Sequence, residues 1–278
     1  LFEMIRSFSK LAKTLNLSHA VHELSSTRQT VRRHIASLEE IKGEKLFEVI
    51  NRQYALTEAG RNALPEADQI LARGHAWLRG QLSGVDGMML ISYKSSDGWV
   101  FYQQQQKLSE IWGSDSALLR SAVLCWAKSG GDLESEHMKA VRPYVLVYRD
   151  TPAGWICVEV GEQSFYSKWW GWAEARSSIG RSLGEFPGGE EFAKIMDVPY
   201  REVQINHSLR LDQVITRMPR VPGGKPLPVC FQRLLMGSRM PDGSFALVTV
   251  VDRAENIAVS GLDQAWLDEM PADVKVDF

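Results

Sequence analysis

Three stretches of helical periodicity open the chain, and the turn residues between them constrain its fold more than any other feature. Apolar residues at intervals of three or four predict a first amphipathic helix over residues 2–15. Asn16 is suited to cap a short second helix, and Thr27 to cap a third that reaches about Ile41. Gly43 is a typical helix terminator, so the segment predicts a compact three-helix unit.

The third helix carries long hydrogen-bond donors on one face. Arg28 and Arg32 lie one turn apart, and so do Gln29 and Arg33. Arginine bridges two acceptors of guanine in the major groove, and glutamine does the same at adenine, so this face is suited to reading DNA. The alternative is a solvated face of a helix bundle. With the tip of a small two-stranded wing, the candidate DNA-binding residues are Thr27, Arg28, Gln29, Thr30, Arg32, Arg33, His34, Asn51, Arg52 and Gln53.

The order of motifs over residues 2–80 resembles the winged helix-turn-helix of LysR-type transcriptional regulators. The residues that carry the resemblance are Leu38-Glu39-Glu40, Gly43, Leu46-Phe47 and Leu56-Thr57-Glu58-Ala59-Gly60. The resemblance implies a regulator that binds double-stranded DNA. The opening of the third helix places arginines where that family often has smaller residues, so the target sequence does not carry over from the family.

A seven-residue repeat follows, in what we predict to be a long helix that reaches about Leu82. Leu64, Leu71 and Leu78 recur every seven residues, with Ala67 and Gly74 between them. Small residues at alternate layers let two helices approach closely. In the resembled family the equivalent helix pairs with its copy, so we expect a homodimer, or a homotetramer if the second segment also pairs. The alternative is that the stripe packs on its own chain.

Charge and cysteine usage agree with this division. Residues 1–82 hold 12 Lys+Arg against 9 Asp+Glu, whereas the remainder holds 20 against 25, a weak sign of a polyanion-binding part joined to one that is not. The 3 cysteines lie far apart, and no apolar run approaches the roughly 18 residues of a membrane helix. We therefore expect a cytoplasmic protein without a membrane partner. We predict a DNA-binding domain at 1–56, a linker and dimerisation helix at 57–84, and an effector domain at 85–278.

The second segment predicts an antiparallel sheet with helices, so that the whole chain is of the α+β class. The predicted elements are a hairpin over 88–103, helices at Gln104–Trp112, Ser116–Lys128, Glu190–Met196 and Leu262–Met270, and strands at Tyr144–Tyr148, Trp155–Val160, within Tyr200–Thr216, at Val229–Met236 and at Phe245–Val251. Two strands, short helices and three strands resemble PAS-like sensory domains, as does Phe231-Gln232-Arg233-Leu234-Leu235 before Asp242-Gly243. The alternative is the ordinary two-lobed effector domain of LysR-type regulators.

Aromatic residues crowd the middle of this segment and suggest a site for a small molecule. Aromatic walls suit a flat apolar ligand. An arginine suits an anionic group on such a ligand, and the candidates are Arg176, Arg210 and Arg233. The candidate ligand-binding residues are Trp155, Phe165, Tyr166, Trp169, Trp170, Trp172 and Arg210. The alternative is that these aromatic residues fill the core or cover a dimer surface. The sequence identifies no cofactor; His207 is of a residue type that can coordinate haem iron, but a lone histidine on a polar strand is usually just exposed.

The sequence gives little evidence for an enzyme active site. Residues 161–165 depart from the GxSxG nucleophile motif at two positions, and the phosphate-binding glycine motifs are missing. No pair of histidines or cysteines has zinc-ligand spacing, and no metal site is predicted. The sequence therefore predicts a one-component, ligand-modulated transcriptional regulator rather than an enzyme. The rival is a sensory adaptor that uses its winged helix for protein contacts.

Overall fold

The structure is a computed structural model, which describes residues 1–94, 100–186, 189–218, 224, 226–254 and 259. It divides into two compact units, Leu1–His75 and Ala76–Phe278. The first is mainly helical, and the second is built on an antiparallel sheet, which confirms the predicted α+β class. Within the described residues, no helix has both the length and the apolar character that crossing a membrane requires.

The first unit is a winged helix-turn-helix. Its elements are α1 (Phe2–Thr14), α2 (Leu17–Glu23), α3 (Arg28–Lys42), β1 (Phe47–Ile50), β2 (Gln53–Leu56) and α4, which begins at Glu58 and ends at Leu78, beyond the boundary of the unit. The predicted caps are present. The side chain of Asn16 accepts from the N–H groups of Ser18 and His19, that of Thr27 accepts from Thr30, and Gly43 ends α3 with φ 72°.

The apolar repeat of α4 divides between two environments. Leu64, Ala67 and Leu71 pack on the core that α1, α2 and α3 enclose. A Cβ atom at position 74 would lie 2.8 Å from the ring of Phe2. Gly74 therefore leaves room for the side chain of Phe2, which belongs to the same chain. This part of the stripe therefore packs on its own chain, as in the alternative interpretation. The exposed apolar residues of α4 are Ile70, Trp77 and Leu78.

The second unit is built on one sheet in which every pairing between strands is antiparallel. The strands are β3 (Leu82–Val85), β4 (Met88–Lys94), β5 (Val100–Gln106), β6 (Val145–Thr151), β7 (Gly154–Val160), β8 (Leu209–Met218), β9 (Leu227–Arg239) and β10 (Phe245–Arg253). Their order across the sheet is β3-β4-β5-β8-β9-β10-β6-β7.

Helices cover both faces of this sheet. Successive residues of a strand point to opposite faces, so neighbouring residues of β6 show what packs on each face. They are α5 (Glu110–Gly113), α6 (Ala117–Ser129), α7 (Phe165–Trp170), α8 (Trp172–Ser177) and α9 (Gly189–Asn206). Val145 and Val147 of β6 belong to a core with α5 and α6. The alternate residue Tyr148 contacts the ring of Tyr200 on α9 at a centroid distance of 5.8 Å. The aromatic side of the sheet therefore faces α9.

The strand sequence from β6 onward follows the predicted order, but the sheet is larger than expected. Two strands, short helices and three strands occur in that order, and β3, β4 and β5 extend the sheet beyond β8. Over the described residues the sheet has 8 strands, against the five that the PAS-like order alone would give. The resemblance to PAS-like domains stays a prediction. The two-lobed alternative needs strand–helix alternation with parallel strands, which the described sheet does not show.

Several predicted elements are wrong or displaced. The predicted helix at Gln104–Trp112 is only partly helical, because Gln104–Gln106 continue β5 and pair with β8, and the helix begins at Glu110. The residues from Tyr200 to Asn206 are the end of α9 rather than part of a strand, and His207, with φ 45°, follows the helix. The long helix predicted to reach about Leu82 ends at Leu78, and Leu82–Val85 form β3. The predicted helix at Leu262–Met270 lies outside the described residues.

The two edges of the sheet differ in how they end. The edge strand β3 has 4 residues. At the other edge, the backbone of Cys157 in β7 donates to the oxygen of Arg181 at 3.0 Å and accepts from the N–H of Gly180 at 2.8 Å. An isolated bridge between Ile156 and Ser182 continues this contact. A loop therefore occupies part of the outer edge of β7.

Candidate nucleic-acid interface and effector pocket

The third helix of the first unit has one buried face and one exposed face. Val31, Ile35 and Leu38 are buried in the core of the unit. The four long donors predicted from the sequence lie on the opposite side, and all are exposed: Arg28, Gln29, Arg32 and Arg33. The exposed polar side chains of α3 are therefore carried on a helix whose opposite face is fixed by apolar packing.

Arg28 also has a local partner. Its guanidinium donates to the hydroxyl of Ser18 on α2 at 2.9 Å, which links the two helices across their turn. This contact orients Arg28 along the N-terminal end of α3. Gln29, Arg32 and Arg33 follow it along the exposed face.

Three of the predicted DNA-contacting residues hold the helix in place. The hydroxyl of Thr27 accepts from the backbone N–H of Thr30 at 3.1 Å, and the two hydroxyl oxygens lie 2.9 Å apart. The half-buried ring of His34 places its Nδ1 2.8 Å from the hydroxyl of Ser7 on α1. These contacts position α3, and the exposed arginines and Gln29 remain to meet a partner.

The wing brings a second group of polar residues to the surface. β1 and β2 pair with Ile50 opposite Gln53, so Asn51 and Arg52 form the two-residue turn. Both adopt left-handed backbone conformations, with φ 50° and 65°, as a tight hairpin turn with right-handed strand twist requires. Asn51, Arg52 and Gln53 are all exposed.

Glu39 ties the recognition helix to the wing, a role that the sequence did not reveal. Its carboxylate accepts from the backbone N–H groups of Leu46 at 3.0 Å and Phe47 at 3.2 Å. It also accepts from the ammonium group of Lys45 at 2.7 Å. Glu39 is buried, so a single side chain sets the approach of β1 to the C-terminal half of α3.

The predicted aromatic cluster of the second unit separates into core and cavity residues. Phe165 and Trp169 are buried and stack at 6.0 Å with nearly parallel rings. The buried indole of Trp155 donates to Asp197 at 2.8 Å and lies under the guanidinium of Arg201. Trp172 is 37% exposed. The structure places these four residues outside the cavity lining described next.

Tyr166 and Trp170 line an aromatic cavity between α9 and the sheet, of about 500 Å³ including the part that is open to solvent. We call it the aromatic cavity. Its lining residues are Phe101, Tyr148, Tyr166, Trp170, Leu183, Phe186, Phe192, Tyr200, Thr216, Met218, Phe231 and Arg233. Most of these were missed because they lie on strands and a helix far apart in sequence.

Arg210 and Arg233, two of the buried arginines of this region, have different surroundings. Arg210 donates to Asp212 at 2.8 Å and to Glu202 at 2.7 Å, and it is not part of the cavity lining. Arg233 lines the cavity, and its guanidinium donates to the side-chain oxygen of Gln103 at 2.5 Å. The geometry therefore favours Arg233 over the predicted Arg210 as a cavity cation.

Burial controls the acid–base behaviour of the cavity tyrosines. It raises the pKa of the hydroxyls of Tyr148, Tyr166 and Tyr200, and the positive charge of Arg233 opposes this rise at all three. Burial is the larger effect in each case. The three hydroxyls are therefore protonated at neutral pH and able to donate hydrogen bonds.

The described residues hold no group of three or more His, Cys, Asp or Glu side chains that could bind a metal ion. His207 lies in the turn between α9 and β8, and its ring meets the edge of Phe245 at 5.3 Å. This aromatic contact gives His207 a packing role in the turn. It provides no support for a haem ligand.

Comparisons with known proteins bear on the first unit. Residues 2–61 match the model of the bacterial regulatory helix-turn-helix proteins of the lysR family. Over 68 residues the chain is 38% identical to an HTH-type transcriptional regulator of Azotobacter vinelandii. That alignment covers 24% of this chain and 47% of the relative, so the chain spans about half the length of the curated relative that it matches.

Solved structures share short regions with this chain. A LysR-family transcriptional regulator from Eggerthella lenta is 36% identical, with 24% of this chain and 94% of that chain covered and a TM-score of 0.23. The CbnR DNA-binding domain in complex with DNA is 28% identical, with 29% and 93% covered and a TM-score of 0.27. OxyR of Corynebacterium glutamicum is 26% identical, with 28% and 24% covered and a TM-score of 0.28.

Proposed function

We propose that this protein, whose residues 2–61 form a helix-turn-helix domain of the lysR family, is a one-component transcriptional regulator. The first unit binds double-stranded DNA, and the second unit responds to a small molecule. The observation that carries the proposal is the exposed donor face of α3, supported from behind by a buried apolar face. Free cysteines at 125, 157 and 230 suit a reducing cytoplasm, where such a regulator would meet its DNA.

In this proposal the N-terminal half of α3 enters the major groove. Gln29, Arg32 and Arg33 reach base edges, because their long side chains are exposed on the leading face. Thr27 and Thr30 lie at the N-terminal end of α3, where backbone N–H groups favour a phosphate, and Arg28 is held beside them by Ser18.

The wing supplies the second contact with DNA. Asn51, Arg52 and Gln53 project at the turn between β1 and β2, and they touch the backbone or the minor groove beside the major-groove site. Glu39 fixes the distance between the wing and α3, so that both elements reach one duplex together. Phosphate contacts of this kind orient the protein, and the α3 side chains supply the specificity.

We propose that two copies pair through α4, and that a second pairing through the effector unit would give a tetramer. Ile70, Trp77 and Leu78 are 50%, 69% and 69% exposed, an unusual amount of apolar surface for one helix. Pairing of two α4 helices would cover these side chains. It would also place two reading helices on one operator, as a two-fold symmetric site requires.

A ligand in the second unit can act on α4 through α9. Arg79 directly follows the end of α4, and its guanidinium lies 3.0 Å from the carboxylate of Glu191 on α9. α9 also contributes Phe192 and Tyr200 to the aromatic cavity. A ligand that shifts α9 would therefore change the support of the α4 terminus and favour one spacing of the two reading helices.

Fluorescence polarisation with a labelled duplex from the upstream region of its own gene tests DNA binding. Arg32→Ala is expected to weaken specific binding by about 1–3 kcal/mol, because it removes a base-reading side chain. Lys42→Ala, in the last turn of the same helix, is the matched control and should bind as the wild type does. Affinity should also fall steeply with salt.

Two outcomes would contradict the proposal. Equal affinity for the upstream duplex and a random duplex, without steep salt dependence, would remove sequence-specific DNA binding and favour the protein-adaptor alternative. Equal affinity of Arg32→Ala and Lys42→Ala would remove Arg32 from the reading face.

A further inference from the structure

We infer that the aromatic cavity is the effector site of this protein and that it takes a small, flat aromatic acid whose anionic group binds Arg233. The inference rests on the proposed function and specifies its ligand. It places the site between α9 and the strands β5, β8 and β9, and it leaves Trp155, Phe165, Trp169 and Trp172 to the core and surface positions described above.

The cavity walls favour a flat ring. Eight of the lining residues are aromatic: Phe101, Tyr148, Tyr166, Trp170, Phe186, Phe192, Tyr200 and Phe231. They come from opposite sides of the cavity, and neighbouring rings meet edge-on or tilted, as Phe101 and Phe192 do at 5.5 Å. A narrow space between aromatic faces and edges accepts a planar aromatic ligand better than a branched aliphatic one.

Arg233 is the feature that sets the charge of the ligand. It is a cavity-lining cation that is only 2% exposed, so its charge is withdrawn from solvent. One amino group donates to Gln103, the other approaches the sulfur of Met196 at 3.2 Å, and its Nε has no hydrogen-bond partner within the described part of the chain. A buried guanidinium with a missing partner is costly, and an anion in the cavity would remove that cost.

The acidic residues nearby do not fully satisfy Arg233. Among the described residues, the carboxylate oxygen nearest to Arg233 is Oδ2 of Asp212 at 3.6 Å, and the other oxygen of that fully buried carboxylate accepts from Arg210 at 2.8 Å. Two guanidinium groups thus share one buried carboxylate. Glu202 and Asp212 both bond Arg210 directly, so of the two arginines it is Arg233 that lies beyond hydrogen-bond distance of this carboxylate.

The tyrosines complete the polar end of the site. The ring of Tyr200 lies beside the guanidinium of Arg233, with 5.7 Å between the carbon of the guanidinium and the ring centroid. Burial raises the pKa of Tyr166 and Tyr200 above the ordinary value, so their hydroxyls are neutral at physiological pH and add no competing negative charge to the cavity. A carboxylate on the ligand would therefore pair with the cation Arg233, while the aromatic lining contacts its ring.

The purified full-length protein is titrated with benzoate and indole-3-carboxylate, and in parallel with their neutral isosteres benzamide and indole-3-carboxamide. Intrinsic tryptophan fluorescence and calorimetry report binding, since Trp170 lines the cavity. At least one acid is expected to bind saturably, and its amide at least about tenfold more weakly, because the amide does not compensate the charge of Arg233.

Three variants test the placement. Arg233→Met, which is similar in length, should weaken binding of the acid by about tenfold or more and abolish the preference for acid over amide. Arg176→Met removes an exposed arginine and should bind as the wild type does. Phe192→Trp, at a half-buried position of the lining, narrows the cavity without touching the charged cluster, so it tests the site even if Arg233→Met does not fold.

The inference is overturned if neither acid binds, if acid and amide bind equally, or if folded Arg233→Met or Phe192→Trp retains wild-type affinity. The DNA titration on the same preparations separates this failure from failure of the proposed function. Specific DNA binding without acid binding would leave the regulator and remove its aromatic-acid ligand. Acid binding without DNA binding would leave the ligand site and remove the DNA-reading role.

Discussion

The bond between α3 and the wing depends on one carboxylate, and its removal should have a measurable cost. In Glu39→Ala the N–H groups of Leu46 and Phe47 lose their acceptor at a place where solvent does not reach them. We expect this variant to be substantially destabilised. Glu39→Gln, which keeps an amide oxygen in the same place, should be close to the wild type.

The magnitude follows from the two orphaned donors. A buried donor without a partner costs about 1–3 kcal/mol, so two such donors make Glu39→Ala about 2–6 kcal/mol less stable. Glu39→Gln loses chiefly the ion pair with Lys45, whose side chain is 76% exposed, and such pairs contribute about 0–1 kcal/mol. The two variants should therefore differ by at least about 1 kcal/mol.

Hydrogen exchange with mass spectrometry resolves this locally in the full-length protein. Peptides that cover residues 44–50 should exchange much faster in Glu39→Ala than in Glu39→Gln, while peptides of the second unit keep wild-type protection. Glu40→Ala, at the exposed neighbouring position, controls for helix propensity. Equal protection of residues 44–50 in Glu39→Ala and Glu39→Gln would refute the argument that Glu39 secures the wing.

Two further predictions concern close packing and burial. Gly60→Ala should destabilise the first unit by about 1–3 kcal/mol, because a Cβ there would lie 2.1 Å from the oxygen of Leu46; urea unfolding should show this against Gly113→Ala, where the space is open. Wild-type stability of Gly60→Ala would contradict the crowding. Burial raises the pKa of the Cys157 thiol to about 12 from 9.0, so at pH 8 iodoacetamide should label Cys125 and spare Cys157 in the native protein. Because the unfolded thiol loses its proton first, the contribution of Cys157 to stability is complete below pH 9 and decreases as the pH rises toward 12. Equal labelling of the two thiols in the native protein, measured by mass spectrometry of peptides, would show that Cys157 is accessible.

The first unit was predictable from sequence because its signals are local. Caps, helical spacing and the string from Leu56 to Gly60 each act within a few residues, and the structure also explains two of the motif positions. Glu39 accepts bonds from the wing, and Gly60 admits the backbone of Leu46. The heptad of α4 was harder, since the same spacing serves packing on the chain's own core and packing on a partner.

The second unit shows where local patterns mislead. Val203 and Ile205 alternate like strand residues, yet Met196, Tyr200 and Val203 recur at helical spacing and are buried on α9. The crowded aromatic stretch predicted only Tyr166 and Trp170 of the cavity lining. Phe101, Phe192 and Phe231 reach the cavity through strand pairing and helix packing, contacts that no short window of sequence contains.

The two edge strands of an open sheet carry unpaired backbone N–H and C=O groups that can pair with a strand of another molecule. In this protein one edge strand is short and the other is partly covered. The edge strand β3 has only 4 residues. At the opposite edge, the backbone N–H and C=O of Cys157 in β7 already form hydrogen bonds with Arg181 and Gly180. Little template remains for edge-to-edge growth between copies. For the proposed regulator, this would leave the pairing of copies to the α4 helices, which gives a closed assembly, and not to the open-ended addition of strands.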